Sequence, residues 1–475
     1  RSFIAGIRPS RRRLAYCHAA RWMRATVRGD VPDGERIAEL MTDRLDPAAI
    51  HVLDLGGGEP ASLAVDELET LGAHHTHRLG PIIEVRQLEA QGERLGAAMF
   101  AAEYATPNLA HPGDGGLKCL GRGIAPEAGL AETIARAEAV ERYAAGELSG
   151  RELVRAKERE LPGAVPGDSL LRLNRRQYAE SDLFAPYDPE SEYLWTPARA
   201  SDGSARWVLA ELVHFPFADW VHERSFALVS SSGLAAHYDP SEAARRALCE
   251  LVERDAFMWT WVQRVSRERI SRSSLPDAVR GSIGRLNRAG WDVDLVNLTM
   301  ETHPVIFCAI HDEETLSIAA ACDPVPARAV AKCLMEAASH AFGTEGPPIE
   351  ARSVEDPADH SQLYRSAELV EHASFMFASP REVELHEVTA RSEPIEQLLT
   401  QFGEPLTVDL TCSASSPLHV VRALVPGTIP ISFGWDREPL GLPLLGRTRT
   451  TADGGRIGAE LDLDTSGPLM PHPFA

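Results

Sequence analysis

Apolar residues recur at helical spacing in three stretches of the chain, and each time an acidic stripe runs beside them. After Asp239-Pro240, Ala247, Leu248, Leu251 and Val252 share one face, while Glu242, Glu250 and Glu253 gather within roughly 80 degrees of arc on another. Pro240 suits the first helical position and Asp239 can cap the amides there. Glu242 and Glu253 lie nearly in line, about 16 Å apart along the axis, a span for a long ligand rather than a single ion. A second helix is expected after Ala125-Pro126, with Leu130, Ile134 and Leu148 on the same face as Glu138 and Glu141, and Glu132, Arg136 and Glu147 opposite. The third follows Asp323-Pro324-Val325-Pro326. It sets Lys332, Glu336 and His340 on one stripe and Val330, Leu334, Ala337 and Ala341 on another, with Gly343 to stop it. In this helix the charged stripe reads equally well as an i, i+4 surface.

Glu-x-x-Glu-Arg therefore occurs twice, at Glu138, Glu141, Arg142 and at Glu250, Glu253, Arg254. One copy alone is most often a solvated face. Two copies with carboxylates directed inward require neutralisation, and a divalent cation is the usual agent. Glu242 has a rival role, because an acid in the first turn stabilises the helix dipole. Leu117-Lys118-Cys119-Leu120-Gly121-Arg122-Gly123 precedes the first acidic helix and Ser230-Ser231-Ser232-Gly233-Leu234-Ala235 the second. Glycine and small hydroxyls there permit close backbone approach by an anionic ligand, although each stretch alone also reads as a connector.

Residues 1–79 differ from the rest. An arginine-rich start leads to a helical stretch near Glu35 to Leu45, then to a short strand and the turn Asp54-Leu55-Gly56-Gly57-Gly58. That turn superficially suggests a methyltransferase or dinucleotide loop, but no βαβ unit surrounds it. Strands are expected at Tyr193-Leu-Trp, Trp207-Val-Leu, Trp291 to Leu298, Pro304 to Ile310, Leu406-Thr-Val and His419 to Pro426, with a polar helical insertion over 345–400. The stretch Pro471-His472-Pro473-Phe474-Ala475 is semi-extended by its prolines and loses little entropy on docking; it can reach into a cleft or dangle.

Composition narrows the classes. Among 475 residues, 69 acidic against 48 basic give a net charge of −21, which repels nucleic acid and anionic membranes. Seven cysteines without zinc spacing suit a reducing cytoplasm. The start lacks the apolar core of a signal peptide, and no apolar run approaches a membrane span.

Gly121-Arg122-Gly123 before Glu138-x-x-Glu141-Arg142-Tyr143, Ser-Gly-Leu-Ala-Ala before Glu242 and Cys249-Glu250-x-x-Glu253-Arg254, and Glu336-Ala-Ala in the third helix together resemble the YcaO family, over residues 80–475. Val425-Pro426-Gly427 and the proline-studded end resemble its azoline-forming cyclodehydratase branch. The resemblance implies an α+β, YcaO-type fold of repeated strand-helix units around an ATP and Mg2+ cleft, spanning 80–475, with residues 1–79 as an appendage. It implies that Glu138, Glu141, Glu242, Glu250 and Glu253 hold magnesium, that Arg254 touches phosphate, and that Lys118, Arg122 and Glu336 complete the nucleotide site. His472 or Ala475 would then serve as base if the tail enters the cleft. Ile134 stands where the family commonly has serine, Ser232 where it has asparagine, Lys332 for arginine and Ser339 for glutamine; Ala475 replaces the last proline of the branch.

The implied reaction is heterocyclisation of Cys, Ser or Thr in a ribosomally made precursor peptide, through phosphorylation of the backbone amide oxygen by ATP. The implied partner is a separate ThiF-like protein that binds the leader peptide. A flavin dehydrogenase of the same pathway and a second copy of this chain are further partners the resemblance allows. Thioamide or amidine formation, and a non-catalytic nucleotide-binding role within a peptide-modifying complex, stay open as alternatives.

Overall fold

The computed structural model describes residues 49–52, 61–64 and 81–474, apart from 90–91, 93–95, 105–119, 149, 216–224, 227–228 and 342–345. The expected helix near 35–45, the glycine turn at 56–58, Lys118, Gly343 and Ala475 lie outside the described residues. Of the first 79 residues, Ala49–Val52 pairs antiparallel with Ala61–Ala64.

Glycine spacing builds the first layer. Strands β1 (Ile82–Gln87), β2 (Ala98–Tyr104) and β3 (Leu120–Ala125) form an antiparallel sheet, and helix α1 (Ala128–Gly146) lies across it. A Cβ on Gly123 would stand 1.9 Å from the Ala131 carbonyl oxygen, and one on Gly121 2.3 Å from that of Ala135. Strand and helix backbones meet where only hydrogen fits. The seated face of α1 is accordingly small, with Ala131, Ala135, Ala139 and Ala144 fully buried. The sequence pattern instead places Leu130 and Ile134 inward; they are 51% and 40% exposed. Bulkier side chains cannot sit at so short a backbone separation.

A second, six-stranded sheet joins distant stretches. Its strands are β4 (Val154–Ala156), β5 (Tyr193–Ala200), β6 (Ala205–Leu209), β7 (Leu234–His237) and, far downstream, Leu406–Asp409 and His419–Leu424. Pairing is antiparallel throughout, with Arg422 opposite Leu234 and Val421 opposite Ala235. Helix α2 (Pro240–Gln263) follows β7 directly, capped by the Asp239 carboxylate on the amides of Ser241 and Glu242. Leu248, Phe257, Met258 and Trp259 of α2 are essentially buried, worth roughly 1.5–3 kcal/mol each on transfer from water.

The third sheet contains β8 (Arg269–Ile270), β9 (Asp292–Asn297), β10 (Val305–His311) and β11 (Leu316–Cys322), preceded in part by helix α3 (Asp277–Arg288) and followed by α4 (Pro326–Ala341). Its order is β11-β10-β9-β8-β12, where β12 is Glu382–Val383 and only the last pair is parallel. In chain order, Leu406–Asp409 is then β13 and His419–Leu424 is β14. Of the helical insertion expected over 345–400, the described residues 346–400 carry short helices at Pro357–Leu363, Ala367–Ala373 and Ile395–Leu399. The fold is thus α+β, and β3-α1, β7-α2 and β11-α4 are its three strand-helix units. Among the described residues, no helix is long and apolar enough to cross a membrane.

Candidate active site

The three strand-helix units converge on one cluster of charge, and backbone amides fix its carboxylates. Arg122 N–H, on β3, donates to Glu138 Oε2 at 2.9 Å. Glu141 accepts from the amide of Ala236 on β7, and Glu253 Oε2 from that of Cys322 at the end of β11, at 3.3 Å. Each motif arginine folds back onto its own glutamates. Arg142 lies 3.2 Å from Glu138 and 3.8 Å from Glu141; Arg254 lies 3.3 Å from Glu250 and 3.1 Å from Glu253. From α4, Lys332 reaches Glu253 at 3.5 Å, and Glu336 faces Lys332, Arg254 and Glu250. The third helix therefore joins the cluster: Glu336 and His340 are half-buried, while Lys332, 58% exposed, reaches in with its amino group.

Helix rotation is held from behind. Asp255, next to Arg254 but on the far side, accepts Ile429 N–H at 3.0 Å and pairs with Arg449, which also binds Glu301 at 2.8 Å. This ties α2 to the later loops, so that residues 250, 253 and 254 face the cluster.

The carboxylates are poorly compensated where they are buried. Burial pushes Glu141 up to about 8; Arg142 pulls it down, while Glu250 and Glu138 push it further up. Burial likewise raises Glu253 and Glu336, with Lys332 and Arg254 opposing. Lys332 itself is held above the usual lysine range, chiefly by Glu253. His340, also on this stripe, is lowered to about 4 by burial, with Arg122 and Arg254 adding to the fall.

One cation here escaped the sequence reading. Arg422, 3% exposed on β14, donates to Ser230 O at 3.0 Å and faces Glu250, Arg142 and Glu141; burial lowers it to about 10. An arginine inside the apolar run His419–Leu424 was the available signal. Its Nε, like those of Arg142 and Arg254, is buried without a hydrogen bond among the described residues.

Two expectations need correction. Glu242 does not join the cluster: Arg245 clasps it with bonds of 2.7 and 2.8 Å, Arg246 adds one of 2.8 Å, and these lower it to about 2. It serves its own helix start, as the dipole argument allowed. His472 is buried and neutral rather than poised as a base. Its Nε2 donates to Ser432 O at 2.8 Å, and its Nδ1 accepts Phe474 N–H at 3.3 Å, so neither nitrogen is spare.

The proline-studded stretch nevertheless reaches the charge cluster. Phe474 is fully buried, with its ring centroid 4.1 Å from the Arg254 guanidinium carbon and 4.9 Å from the Phe257 ring.

The donor set fits a hard divalent cation and a polyanion. Five carboxylates, Glu138, Glu141, Glu250, Glu253 and Glu336, supply oxygen ligands, and buried arginine N–H groups remain unspent. As arranged, among the described residues no three acidic, histidine or cysteine side chains converge on a single ion position. Arginine and lysine pair with Glu138, Glu250 and Glu253 instead, and a bound cation would share those carboxylates with them.

Comparison with known proteins agrees with this architecture. The family model described as YcaO cyclodehydratase, ATP- and Mg2+-binding, matches residues 120–429. An uncharacterized protein from the tfuA 3′ region of Rhizobium leguminosarum bv. trifolii is 31% identical over 224 residues, which are 42% of this chain and 52% of that protein. A heterocyclase solved in complex with substrate and cofactor superposes with TM-score 0.66 at 19% identity, covering 84% of this chain and 57% of its own. The chain thus spans about half the length of these two relatives. YcaO from Methanopyrus kandleri, bound with AMPPCP and Mg2+, gives 0.54 at 18% identity, covering 77% of this chain and 90% of its own. At such identities the solved structures show a shared fold. With the family model covering most of the chain, including all three strand-helix units and the five clustered glutamates, the chain belongs to the YcaO family, whose ligands are ATP and Mg2+.

Proposed function

We propose that the chain is an ATP-dependent cyclodehydratase that forms azolines in a ribosomally made peptide. The observation that carries this reading within the family is the docked segment Pro471–Phe474, which closes over Arg254 beside the carboxylate cluster.

Glu138, Glu141, Glu250 and Glu253 would hold magnesium, with Glu336 behind them. The metal, when bound, supplies electrostatic stabilisation of charge on a transferring phosphoryl group. Arg254 contributes a guanidinium whose two edges are set by Glu250 and Glu253 and whose face is set by Phe474. Its unspent Nε is a donor for phosphoryl oxygen. Lys332 opposes the burial that raises Glu253, but as a point charge without the bidentate fork of an arginine.

In the proposed reaction the Cys, Ser or Thr heteroatom of the peptide bonds to the preceding carbonyl carbon and loses its proton. The carbonyl oxygen takes the γ-phosphoryl of ATP, leaving ADP. Expulsion of phosphate, with loss of the amide proton, leaves the C=N bond of the ring. A ThiF-like protein would bring the peptide. A flavin dehydrogenase would oxidise the ring in a later step.

Calorimetric titration of ATP with and without Mg2+ tests the site, on the natural chain and on Glu253→Gln. Magnesium-dependent binding that the substitution abolishes is expected. Incubation with partner and precursor peptide then tests the chemistry: loss of one water per ring supports azoline formation, whereas a gain of sulfur for oxygen would replace it by thioamidation.

A further inference from the structure

We infer that the helical insertion, through His360 and Tyr364, is a latch that positions Arg254 by holding the Met470–Phe474 segment over it. The role assigned to Arg254 rests on the nucleotide reading above; the latch itself does not.

Prolines dictate how such a segment can be held. Pro471 and Pro473 have no N–H, so carbonyls are the main backbone handles on offer. Three successive carbonyls each receive one donor: Met470 O from the Trp261 indole at 3.2 Å, Pro471 O from the Tyr364 hydroxyl at 2.7 Å, and His472 O from His360 Nδ1 at 2.6 Å. His360 Nε2 accepts the N–H of Gly434 at 2.9 Å, which fixes its proton on Nδ1. The two imidazoles stack with centroids 4.4 Å apart.

The insertion presents these donors from a braced element. Asp356 accepts the amide of Asp359 at 3.0 Å, and Asp359 accepts those of Glu355 and Asp356 at 2.8 and 3.2 Å, so the helix start carrying His360 is doubly capped. His360 is completely buried, as are Tyr364, His472 and Phe474. The consequence lands on Arg254. Phe474 covers the flat face of its guanidinium, while Glu250 and Glu253 hold the edges. His360 and Tyr364 touch no part of the charge cluster and act on it only through the tail; they are positioning residues.

The test uses the full chain, with hydrogen exchange of the peptide spanning 464–475 and calorimetry of Mg–ATP. His360→Ala is expected to speed that exchange about tenfold and to weaken Mg–ATP by a similar factor, for the loss of one buried hydrogen bond and of the ring over Arg254. His360→Asn keeps a donor near the Nδ1 position and should restore most of both. Phe474→Leu should leave exchange at 464–472 nearly unchanged yet weaken Mg–ATP, which a merely structural tail would not do. If His360→Ala fails to fold, Tyr364→Phe removes one bond with the packing kept and should move both readouts the same way. Unchanged exchange in these variants overturns the latch; faster exchange with unchanged Mg–ATP affinity overturns its reach to Arg254. A natural chain that binds no Mg–ATP overturns the nucleotide reading and that reach together, while the exchange measurement still decides the latch.

Discussion

The two copies of Glu-x-x-Glu-Arg share a spelling and differ in how they are held. On α1, Glu138 and Arg142 keep 33% and 24% of their side-chain surface, and the helix is seated by bare backbone contact with Gly121 and Gly123. On α2, the matching Glu250 and Arg254 keep 21% and 12%, Glu253 keeps 1% against 14% for Glu141, and the helix is seated by large side chains such as Leu248, Phe257 and Trp259. The α1 copy therefore faces the cleft from a thin, close-fitting element. The α2 copy sits deeper, with Glu253 against Lys332 and Arg254 against Phe474. Identical motifs need not tolerate identical changes.

The seating of α1 can be broken most severely. Gly123→Ala forces a methyl to 1.9 Å from the Ala131 carbonyl oxygen, where backbone lies on both sides. The expected loss is about 3 kcal/mol or more, read as a fall in the denaturant midpoint. Among the described residues no glycine meets the α2 backbone so closely, and there Leu248→Ala should cost about 2–5 kcal/mol by leaving a cavity instead.

The paired substitutions Glu253→Gln and Glu141→Gln sharpen the contrast. In the first, the new side-chain amide would turn an N–H2 toward Arg254 or Lys332, a mismatch worth about 1–3 kcal/mol of stability, and Mg–ATP binding should vanish. Glu141 differs. Burial raises both carboxyls, but Glu253 is held by Arg254, Lys332 and the Cys322 amide, whereas Glu141 meets Arg142 only at 3.8 Å. With its carboxyl raised to about 8, Glu141 costs the unliganded fold stability at neutral pH relative to the unfolded chain, and Glu141→Gln should hold or raise the melting temperature while still weakening Mg–ATP. Equal stability losses in the two variants would erase the distinction.

Much of this contrast was hidden in the sequence for physical reasons. Helix α2 was legible because Asp239-Pro240 marks its start and large apolar residues mark its buried face. The inward face of α1 was not, since alanine carries little hydrophobic contrast and the conspicuous Leu130 and Ile134 point outward. Glu250 and Glu253 could be placed by rotation alone. Glu242 could not, because Arg245 and Arg246, at i+3 and i+4, compete for it. His360 was invisible as a site residue, since its partner His472 lies 112 residues away.

Acid should loosen the α2 side first. In the docked segment His360 and His472 must both be neutral, and burial lowers His360 to about 4 and His472 further. Asp359 pulls His360 up and Arg437 pushes it down; His360 and Arg254 both push His472 down. Undocked, each returns toward the ordinary value of 6.5. Docking is thus fully stable above about pH 6.5 and weakens as pH falls toward 4, because the released form binds more protons. Hydrogen exchange at 464–475, corrected for its intrinsic pH dependence, should rise across that window, and exchange at the β3-α1 contact should not.

The smallest effect belongs to the exposed stripe of α1. Ile134 stands four residues before Glu138, on the cleft side of the helix, and is 40% exposed. Had it been part of the seating face, Ile134→Ser would cost several kcal/mol, as truncations in a core do. With Ala131 and Ala135 making that contact instead, the substitution should change stability by less than about 0.5 kcal/mol. A serine there has a hydroxyl free to hydrogen-bond a ligand held by Glu138, so Mg–ATP affinity is expected to stay constant or rise. Thermal melting and calorimetry on one variant therefore separate the two roles of α1: a stability loss above about 1 kcal/mol would return Ile134 to the core, contrary to the glycine-seated geometry.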